Sequence, residues 1–197
     1  MARPKSADKR NAILDAAVAT FAVRGVWTTP TAAISKAAGV AEGTLFTYFA
    51  TKELLVNELY RTLKRDLAEA MLATYPRTDD ARAKVRHIWT QYVRWGVANP
   101  EKFKVMAQLR VSDQVTEESR AAGAAPFAEL ERLAKDCIKR RIVRNYPVQF
   151  IGALLGSMAE TTMGFVAQAG KSRTDYCAAG FETFWQGIAM PGHSTRT

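Results

Sequence analysis

The 197-residue sequence contains little cysteine and little histidine, with two residues of each. Cys137 and Cys177 lie far apart and form no CxxC pair, which excludes a disulfide framework and favours a reducing compartment. His87 and His193 belong to no HExxH motif or Cys/His cluster, and neither a nucleophile elbow nor a P-loop is present. The sequence therefore offers no visible basis for a metal site, a cofactor site or a catalytic triad, and we expect a protein that is not an enzyme.

A long apolar run is also missing. The nearest candidate, residues 150–159, contains Ser157 and stops at Glu160, short of the roughly 18 apolar residues of a membrane span. Residues 1–11 are polar and lack the apolar segment of a signal peptide. We therefore expect a cytoplasmic protein with no membrane partner.

Basic residues exceed acidic ones, with 28 Lys and Arg against 19 Asp and Glu, and the formal net charge is +9. Residues 1–52 carry seven basic and three acidic residues, so the positive charge is densest at the N-terminus. This density favours an anionic partner there. A solvated basic tail is the alternative, and charge alone does not decide between them.

Helical spacing of apolar residues recurs along the chain, whereas alternating β patterns with hairpin signals are missing, so we predict an all-α fold. Gly25 is expected to end the first helix, Thr29 to be an N-cap with Pro30 at the first helical position, and Thr51 to cap a long helix. The predicted helices are 9–24, 30–37, 42–49, 52–75, a segment capped by Asp79 or Asp80 and ending at 99–100, 101–110, 116–143 with a break at 123–126, 147–169 and 174–189.

Residues 30–49 carry the most informative pattern, two short helices separated by a turn at Gly39. Ile34 and Leu45 would pack inward on either side of that turn. The second helix begins with the small residues of Glu42-Gly43-Thr44, which let its backbone approach a surface such as the edge of a DNA major groove. Alanine-rich helices and glycine turns are also ordinary core material, so this fragment alone does not establish DNA binding.

Residues 10–55 resemble the DNA-binding domain of the tetracycline-repressor (TetR) family of transcriptional regulators. The rest of the chain matches the family only in length, helical pattern and position. The residues that carry the resemblance are Ile13-Leu14-Asp15-Ala16-Ala17, Phe21, Gly25, Thr29, Ile34, Ala37-Ala38-Gly39-Val40, Gly43-Thr44-Leu45-Phe46, Tyr48-Phe49 and Lys52-Glu53.

The resemblance implies a three-helix helix-turn-helix domain, residues 1–52, joined to a larger helical domain for effector binding and dimerisation, residues 53–197. The recognition helix would lie around 42–48. Ala41 stands where the family usually has Ser or Thr, so a helix N-cap and a potential phosphate donor are lost. Phe46 replaces a frequent Tyr and lacks its hydroxyl. The predicted DNA-binding residues are Thr29, Lys36, Glu42, Gly43, Thr44, Thr47, Tyr48 and Lys52.

The predicted recognition helix lacks Arg, Lys, Asn and Gln, the residue types that most often read bases directly. We therefore expect modest direct readout, from threonine side chains and from Glu42 to cytosine, with DNA shape and phosphate contacts supplying the rest. A basic N-terminal arm with Arg3, Lys5, Lys9 and Arg10 could also reach the DNA. A flexible solubilising tail is an equal alternative for this arm.

The resemblance also implies a homodimer in which the last two helices form a four-helix bundle with their counterparts. Small and aromatic residues in these helices suit such a surface, although an intramolecular core is the alternative. The predicted interface residues are Gly152, Gly156, Phe181, Phe184 and Trp185.

In family members the body encloses a small-molecule pocket, and the aromatic and methionine content here suits an apolar or aromatic effector. For any single residue, plain core packing is the simpler interpretation. The predicted function is a ligand-responsive repressor that binds a palindromic operator as a dimer and is released by its effector; the alternative is a helix-turn-helix regulator without an effector. The predicted pocket residues are Trp89, Tyr92, Trp95, Phe103, Met106, Phe127, Met158, Thr162 and Phe165, with His87, Gln91, Gln108 and Glu160 as further polar candidates.

Overall fold

The computed structural model describes residues 5–169 and 174–192. Arg3 and His193 lie outside these ranges, as does the side chain of Lys5. The described residues form ten α-helices and no strand, with a single isolated bridge between Val143 and Ala189, so the predicted all-α class is confirmed.

The helices agree with the predicted ones to within a few residues at most ends. The predicted break at 123–126 is confirmed, because a short 3₁₀ turn at Ala125–Phe127 separates α7 from α8. The helices are α1 Lys5–Arg24, α2 Thr31–Ala37, α3 Glu42–Tyr48, α4 Lys52–Leu72, α5 Ala81–Ala98, α6 Pro100–Arg110, α7 Glu117–Ala124, α8 Ala128–Lys139, α9 Val148–Gln168 and α10 Tyr176–Ile188.

Most predicted helix ends are confirmed by backbone conformation or by capping bonds. Gly25 adopts a φ of +88°, a left-handed conformation that suits glycine. The Thr51 hydroxyl accepts a hydrogen bond from Leu54 N at 3.1 Å, and Asp80 caps α5 by accepting from Arg82 N at 2.9 Å.

The predicted start of α2 is wrong by one residue. Pro30 is the N-cap and makes no side-chain capping bond, and the helix begins at Thr31. The Thr29 hydroxyl instead donates to the carbonyl oxygen of Gly25 at 2.6 Å. Because the N-cap position falls on Pro30, Thr29 lies one residue before it and does not cap the helix.

By packing, the chain divides into two compact units. Within the described ranges, the first draws on Met1–Arg65 and Asn99–Ala124, and the second on Asp66–Ala98 and Ala125–Thr197. Helices α6 and α7 therefore belong with α1, α2 and α3, although they come later in the chain. The predicted functional division between residues 52 and 53 concerns activity rather than packing, and it stays a prediction.

The core of the first unit is built from the apolar faces of its short helices. Ile13, Phe21, Ile34, Leu45 and Leu55 are all fully buried. Helix α1 contacts both α2 and α6, and α2 contacts α3. Burial of a large aliphatic or aromatic side chain stabilises a fold by about 1.5–3 kcal/mol, so these contacts fix the relative positions of the short helices.

Polar contacts also join the late segment 99–124 to the early helices of the first unit. The Gln108 side chain accepts a hydrogen bond from Val26 N at 3.0 Å, just beyond the end of α1. The buried Asn57 side chain donates to Gln114 O at 2.8 Å and accepts from Thr116 N at 2.9 Å. Gln108, predicted as an effector contact, thus holds the end of α1.

The second unit has a core of α5, α9 and α10, packed closely through glycines. A Cβ atom added at Gly96 would overlap the Met163 sulfur, and one at Gly180 would overlap Thr162 and Trp89. The Trp89 ring stacks on Phe184 with centroids 5.6 Å apart, and its indole N–H donates to Cys177 O at 2.9 Å. These contacts place Trp89 in the core.

Helix α9 is long and apolar enough to cross a membrane by length and composition, and 22% of its apolar window is buried. One such helix is weak support for a membrane span, because core helices of soluble proteins meet the same criteria. Glu160 lies near the middle of α9 and would be costly to place in a bilayer.

Candidate nucleic-acid interface

Helices α2 and α3 form a helix-turn-helix within the first unit. Gly39 has a φ of +66°, and Val40 N donates to Ser35 O at 3.0 Å, which closes the turn. Ile34 and Leu45 are fully buried on either side of it. Because Leu45 anchors the inner side of α3, the opposite side of α3 faces outward.

The outward side of α3 presents most of the residues predicted to contact DNA. Glu42, Gly43 and Thr47 are exposed, and Thr44 and Tyr48 are half-buried. The Thr31 hydroxyl donates to Glu42 Oε1 at 2.9 Å, and the Thr47 hydroxyl donates to Gly43 O at 2.9 Å. The predicted cation Lys36 is exposed on α2.

The start of α3 lacks a side-chain cap. Ala41 occupies the N-cap position and makes no side-chain hydrogen bond. A Ser or Thr there would satisfy a backbone N–H of the first turn and stabilise the helix by about 1 kcal/mol. The predicted loss of this cap is confirmed.

Thr29 and Lys52 hold the loop between α1 and α2 in place. Thr29 is 1% exposed, which leaves its side chain no surface with which to touch DNA, so the predicted direct contact is corrected to a positioning role. Lys52 Nζ donates to Thr29 O at 2.7 Å and to Trp27 O at 3.2 Å. Burial lowers the pKa of Lys52 below its usual value. An ammonium has three N–H donors, so one remains for a phosphate.

Arg10 is tied into the first unit rather than projecting as part of a basic arm. Its guanidinium pairs with Glu58 and lies 5.7 Å from the centroid of the Phe49 ring. Burial alone would raise the pKa of Glu58, but hydrogen bonds from Arg61 and Arg10 outweigh that effect and lower it. Lys9 is exposed, so it is the described arm residue left to meet an anionic partner.

Two exposed aromatic residues near the helix-turn-helix are absent from the predicted contact set. Trp27 is 44% exposed and Phe46 is 41% exposed, and both line a groove of about 630 Å³ that Lys52 also lines. The sequence signal for Trp27 was its position in the connection between two predicted helices, because such connections run over the protein surface.

The predicted pocket residues do not form one cluster within either unit. Phe103 and Met106 belong to the first unit and the other seven to the second. Thr162 and Trp89 meet around Gly180 in the core of the second unit. Phe165 is 55% exposed. Those that are half-buried are Tyr92, Phe103, Phe127 and Met158.

The aromatic residues predicted for the dimer interface serve the core of the second unit, which is the alternative that the sequence left open. Phe181, Phe184 and Trp185 are each 1% exposed within a single chain. The prediction that they form an intermolecular surface is therefore corrected. A Cβ added at Gly152 or Gly156 would meet open space, so these two glycines remain available for close approach of another helix.

Comparisons with known proteins agree with this arrangement. Residues 13–59 match the family model described as bacterial regulatory proteins, tetR family. The HTH-type transcriptional repressor KstR2 from Rhodococcus jostii (strain RHA1) is 30% identical over 118 residues, which cover 51% of this chain and 57% of that protein. The match thus spans a little over half the length of this curated relative.

Solved structures match nearly the whole chain. A crystal structure from Shewanella sp. PV-4, described as a tetR family transcription regulator, covers 92% of this chain and 98% of its own, with a TM-score of 0.84 and 26% identity. A TetR family transcription regulator from Marinobacter aquaeolei VT8 covers 95% and 99%, with a TM-score of 0.86 and 24% identity, and shows the same fold. The matched residues 13–59 lie on the helix-turn-helix, so this part of the chain is a DNA-binding domain of the TetR family of bacterial transcriptional regulators, and the chain has the fold of those regulators.

Proposed function

We propose that this protein is a transcriptional repressor that binds a palindromic operator as a homodimer, with α3 of each protomer in the major groove. The observation that carries the proposal is the two-sided character of α3. Leu45 is fully buried against the first unit, whereas Glu42, Gly43 and Thr47 are exposed. A helix that is anchored on one side and polar on the other suits insertion into a groove.

The side chains on α3 support modest direct reading of bases. Glu42 accepts one hydrogen bond from Thr31, which leaves its other carboxylate oxygen to accept from a cytosine amino group. The Thr47 hydroxyl is bonded to Gly43 O and presents its methyl group for contact with thymine. DNA shape and backbone contacts supply the remaining specificity.

The phosphate contacts come from residues around the same surface. Lys36 is an exposed cation on α2, and Lys52 keeps one ammonium N–H after donating to Trp27 O and Thr29 O. Thr44 and Tyr48 are half-buried hydroxyl residues on α3. Each lysine that neutralises a phosphate should contribute about 0.9 to the slope of log affinity against log salt.

The dimer surface that we propose is the exposed side of α9. Gly152 and Gly156 share one side of α9 at i,i+4 spacing, and a Cβ added at either would meet open space. These glycines would let the backbone of a helix from a second copy approach closely.

The proposed effector is a small apolar or aromatic molecule bound in the second unit, near half-buried residues such as Tyr92, Phe127 and Met158. Its binding would favour a spacing of the two recognition helices that fits DNA poorly, with α4 transmitting the change, since α4 begins in the first unit and ends in the second. The shift can be no larger than the difference in effector affinity between the two states.

The test is an anisotropy titration of the full chain against DNA selected from a random duplex library, followed by addition of apolar and aromatic compounds. We expect tight binding of a palindromic sequence and release by one class of compound, with matching thermal stabilisation. Tight binding that no compound in a broad panel alters would favour the regulator without an effector. Failure to select any sequence would overturn the proposal.

A further inference from the structure

We propose that Trp27 is a further operator contact, whose indole N–H donates to a phosphate oxygen while its ring packs on the adjacent deoxyribose. The inference rests on the proposed DNA-binding function and adds a residue outside the helix-turn-helix motif, on the turn between α1 and α2. It assigns the shallow groove beside that turn to one strand of the sugar-phosphate backbone.

The groove lies beside the proposed recognition helix. Its walls come from the α1–α2 turn with Trp27, from α3 with Phe46, and from the start of α4 with Thr51 and Lys52. Trp27 and Phe46 are both more than two-fifths exposed, an unusual amount for large aromatic rings that lie in one groove. Contact with a bound partner would remove the exposed surface of these two rings from water.

The chemistry of the groove matches a phosphodiester with its sugar. Among the residues that line it, Lys52 is the charged one and it is a cation, so the groove attracts an anion. The Thr51 hydroxyl accepts from Leu54 N and keeps its own proton for donation. Aromatic rings beside N–H and O–H donors suit a ligand with an apolar sugar next to anionic oxygens.

The turn that carries Trp27 is held before any partner arrives. Lys52 Nζ donates to the carbonyl oxygens of both Trp27 and Thr29, and the Thr29 hydroxyl donates to Gly25 O. Val26, next to Trp27, is fully buried. A pre-ordered turn loses little conformational entropy on binding, so the contact can add directly to affinity.

Fluorescence quenching gives a direct readout, because Trp27 is the exposed tryptophan of the four. Trp89 is fully buried, Trp185 is 1% exposed and Trp95 is 8% exposed. Acrylamide should quench mainly Trp27, and operator DNA should protect it. Random duplex at low salt should also protect it, because a backbone contact does not depend on sequence.

Affinity measurements separate the two parts of the contact. Trp27→Ala should bind the operator roughly tenfold more weakly, since a hydrogen bond to a charged group and the ring contact are both lost. Trp27→Phe keeps an aromatic ring and should lose less operator affinity than Trp27→Ala. Both variants should keep the salt slope, because a neutral indole releases no counterion, whereas Lys36→Ala should flatten it by about 0.9. Val111→Ala, at an exposed residue of the same unit, is the matched control.

Protection of Trp27 together with weaker binding by the variants is the expected result. If the wild-type protein binds its operator but DNA leaves Trp27 quenchable and Trp27→Ala binds equally well, the inference is overturned and the proposed function stands. Protection by an apolar compound but not by DNA would also overturn it and assign the groove to a small ligand. If the wild-type protein binds no DNA, both proposals fail. If Trp27→Ala does not fold, acrylamide quenching of the wild-type protein and the operator affinity of Trp27→Phe still test the inference.

Discussion

The Asn57 side chain forms hydrogen bonds with backbone groups of a loop that have no partners in a helix. It is 5% exposed, and its amide donates to Glu53 O at 2.9 Å and to Gln114 O at 2.8 Å, while its oxygen accepts from Thr116 N at 2.9 Å. The segment around Gln114 lies between α6 and α7, where backbone groups have no helical partners. A buried polar group without a partner is costly, so this amide holds the segment in place.

We predict that Asn57→Leu lowers the free energy of unfolding by roughly 3 kcal/mol, because it leaves the Gln114 carbonyl and the Thr116 N–H without partners. Urea unfolding followed by circular dichroism measures the change. Asn145→Leu, at an exposed loop position, is the control and should stay within about 0.5 kcal/mol of wild type. Equal effects from the two variants would contradict this role for Asn57.

Glu58 links Arg10 of α1 with Arg61 of α4, and its pKa in the folded state is lower than normal. A carboxyl with a depressed folded pKa stabilises the fold above its unfolded pKa of about 4.3, and that contribution disappears as the pH falls through the lower, folded value. Glu58→Gln should therefore be less stable than wild type at pH 7, and the two should converge in acid. Thermal unfolding from pH 7 to pH 3 tests this, with the exposed Glu101→Gln as control. A difference independent of pH would argue against the ion pairs.

At the scale of elements, the turn of the helix-turn-helix depends on one backbone conformation. A Cβ atom added at Gly39 or at Gly43 would meet open space, so neither position is too crowded for a methyl group. The two glycines differ in backbone conformation. Gly39 has a φ of +66°, whereas Gly43 lies in the first turn of α3.

Gly39→Ala should therefore destabilise the protein by about 1–2 kcal/mol, the cost of placing a Cβ in the left-handed region. Gly43→Ala should be neutral or slightly stabilising, because alanine favours helix more than glycine does. Differential scanning calorimetry of the two variants gives the comparison. The reverse order of stability would show that the conformation of the turn is not what Gly39 contributes.

The sequence could predict elements whose ends have local causes. Helical periodicity gave the bounds of α4 and α5 closely, and the Thr51 and Asp80 caps depend on contacts within a few residues. Thr29 was assigned wrongly because α2 begins at Thr31, one residue later than predicted, and Pro30 is its N-cap. Thr29-Pro30 as N-cap and first helical residue and Pro30-Thr31 in the same roles are both allowed by local sequence preferences. Nothing local distinguishes them.

Contacts distant in sequence could not be predicted. Val26 and Gln108 are hydrogen-bonded although 82 positions separate them, so the packing of α6 with the DNA-binding helices could not be predicted from local sequence patterns. Phe181, Phe184 and Trp185 are apolar on a helix whose pattern is the same for an internal core and for a dimer surface. The candidate DNA contacts on α3 were predictable, because an anchoring Leu45 fixes which residues face outward.

For the whole molecule, the proposed homodimer rests on the open side of α9. We predict that Gly156→Arg abolishes dimerisation while the protomer stays folded, since an added Cβ meets open space and the long charged side chain beyond it would block a second helix. Sedimentation velocity gives the mass, and circular dichroism checks the fold. Ala121→Arg, exposed on α7, is the control and should remain dimeric. A Gly156→Arg variant that stays dimeric would place the interface elsewhere.

The central claim is that α3 and its neighbours read DNA while the basic surface sets the affinity. The most direct measurement is an anisotropy titration of the full chain against a selected palindromic duplex and its scrambled counterpart, over a range of salt concentrations. We predict a preference of about a thousandfold or more for the selected duplex, and a salt slope that Lys36→Ala reduces by about 0.9 while Lys139→Ala, exposed on α8, leaves it unchanged. Equal affinity for both duplexes, or a slope that Lys36→Ala does not change, would contradict the account.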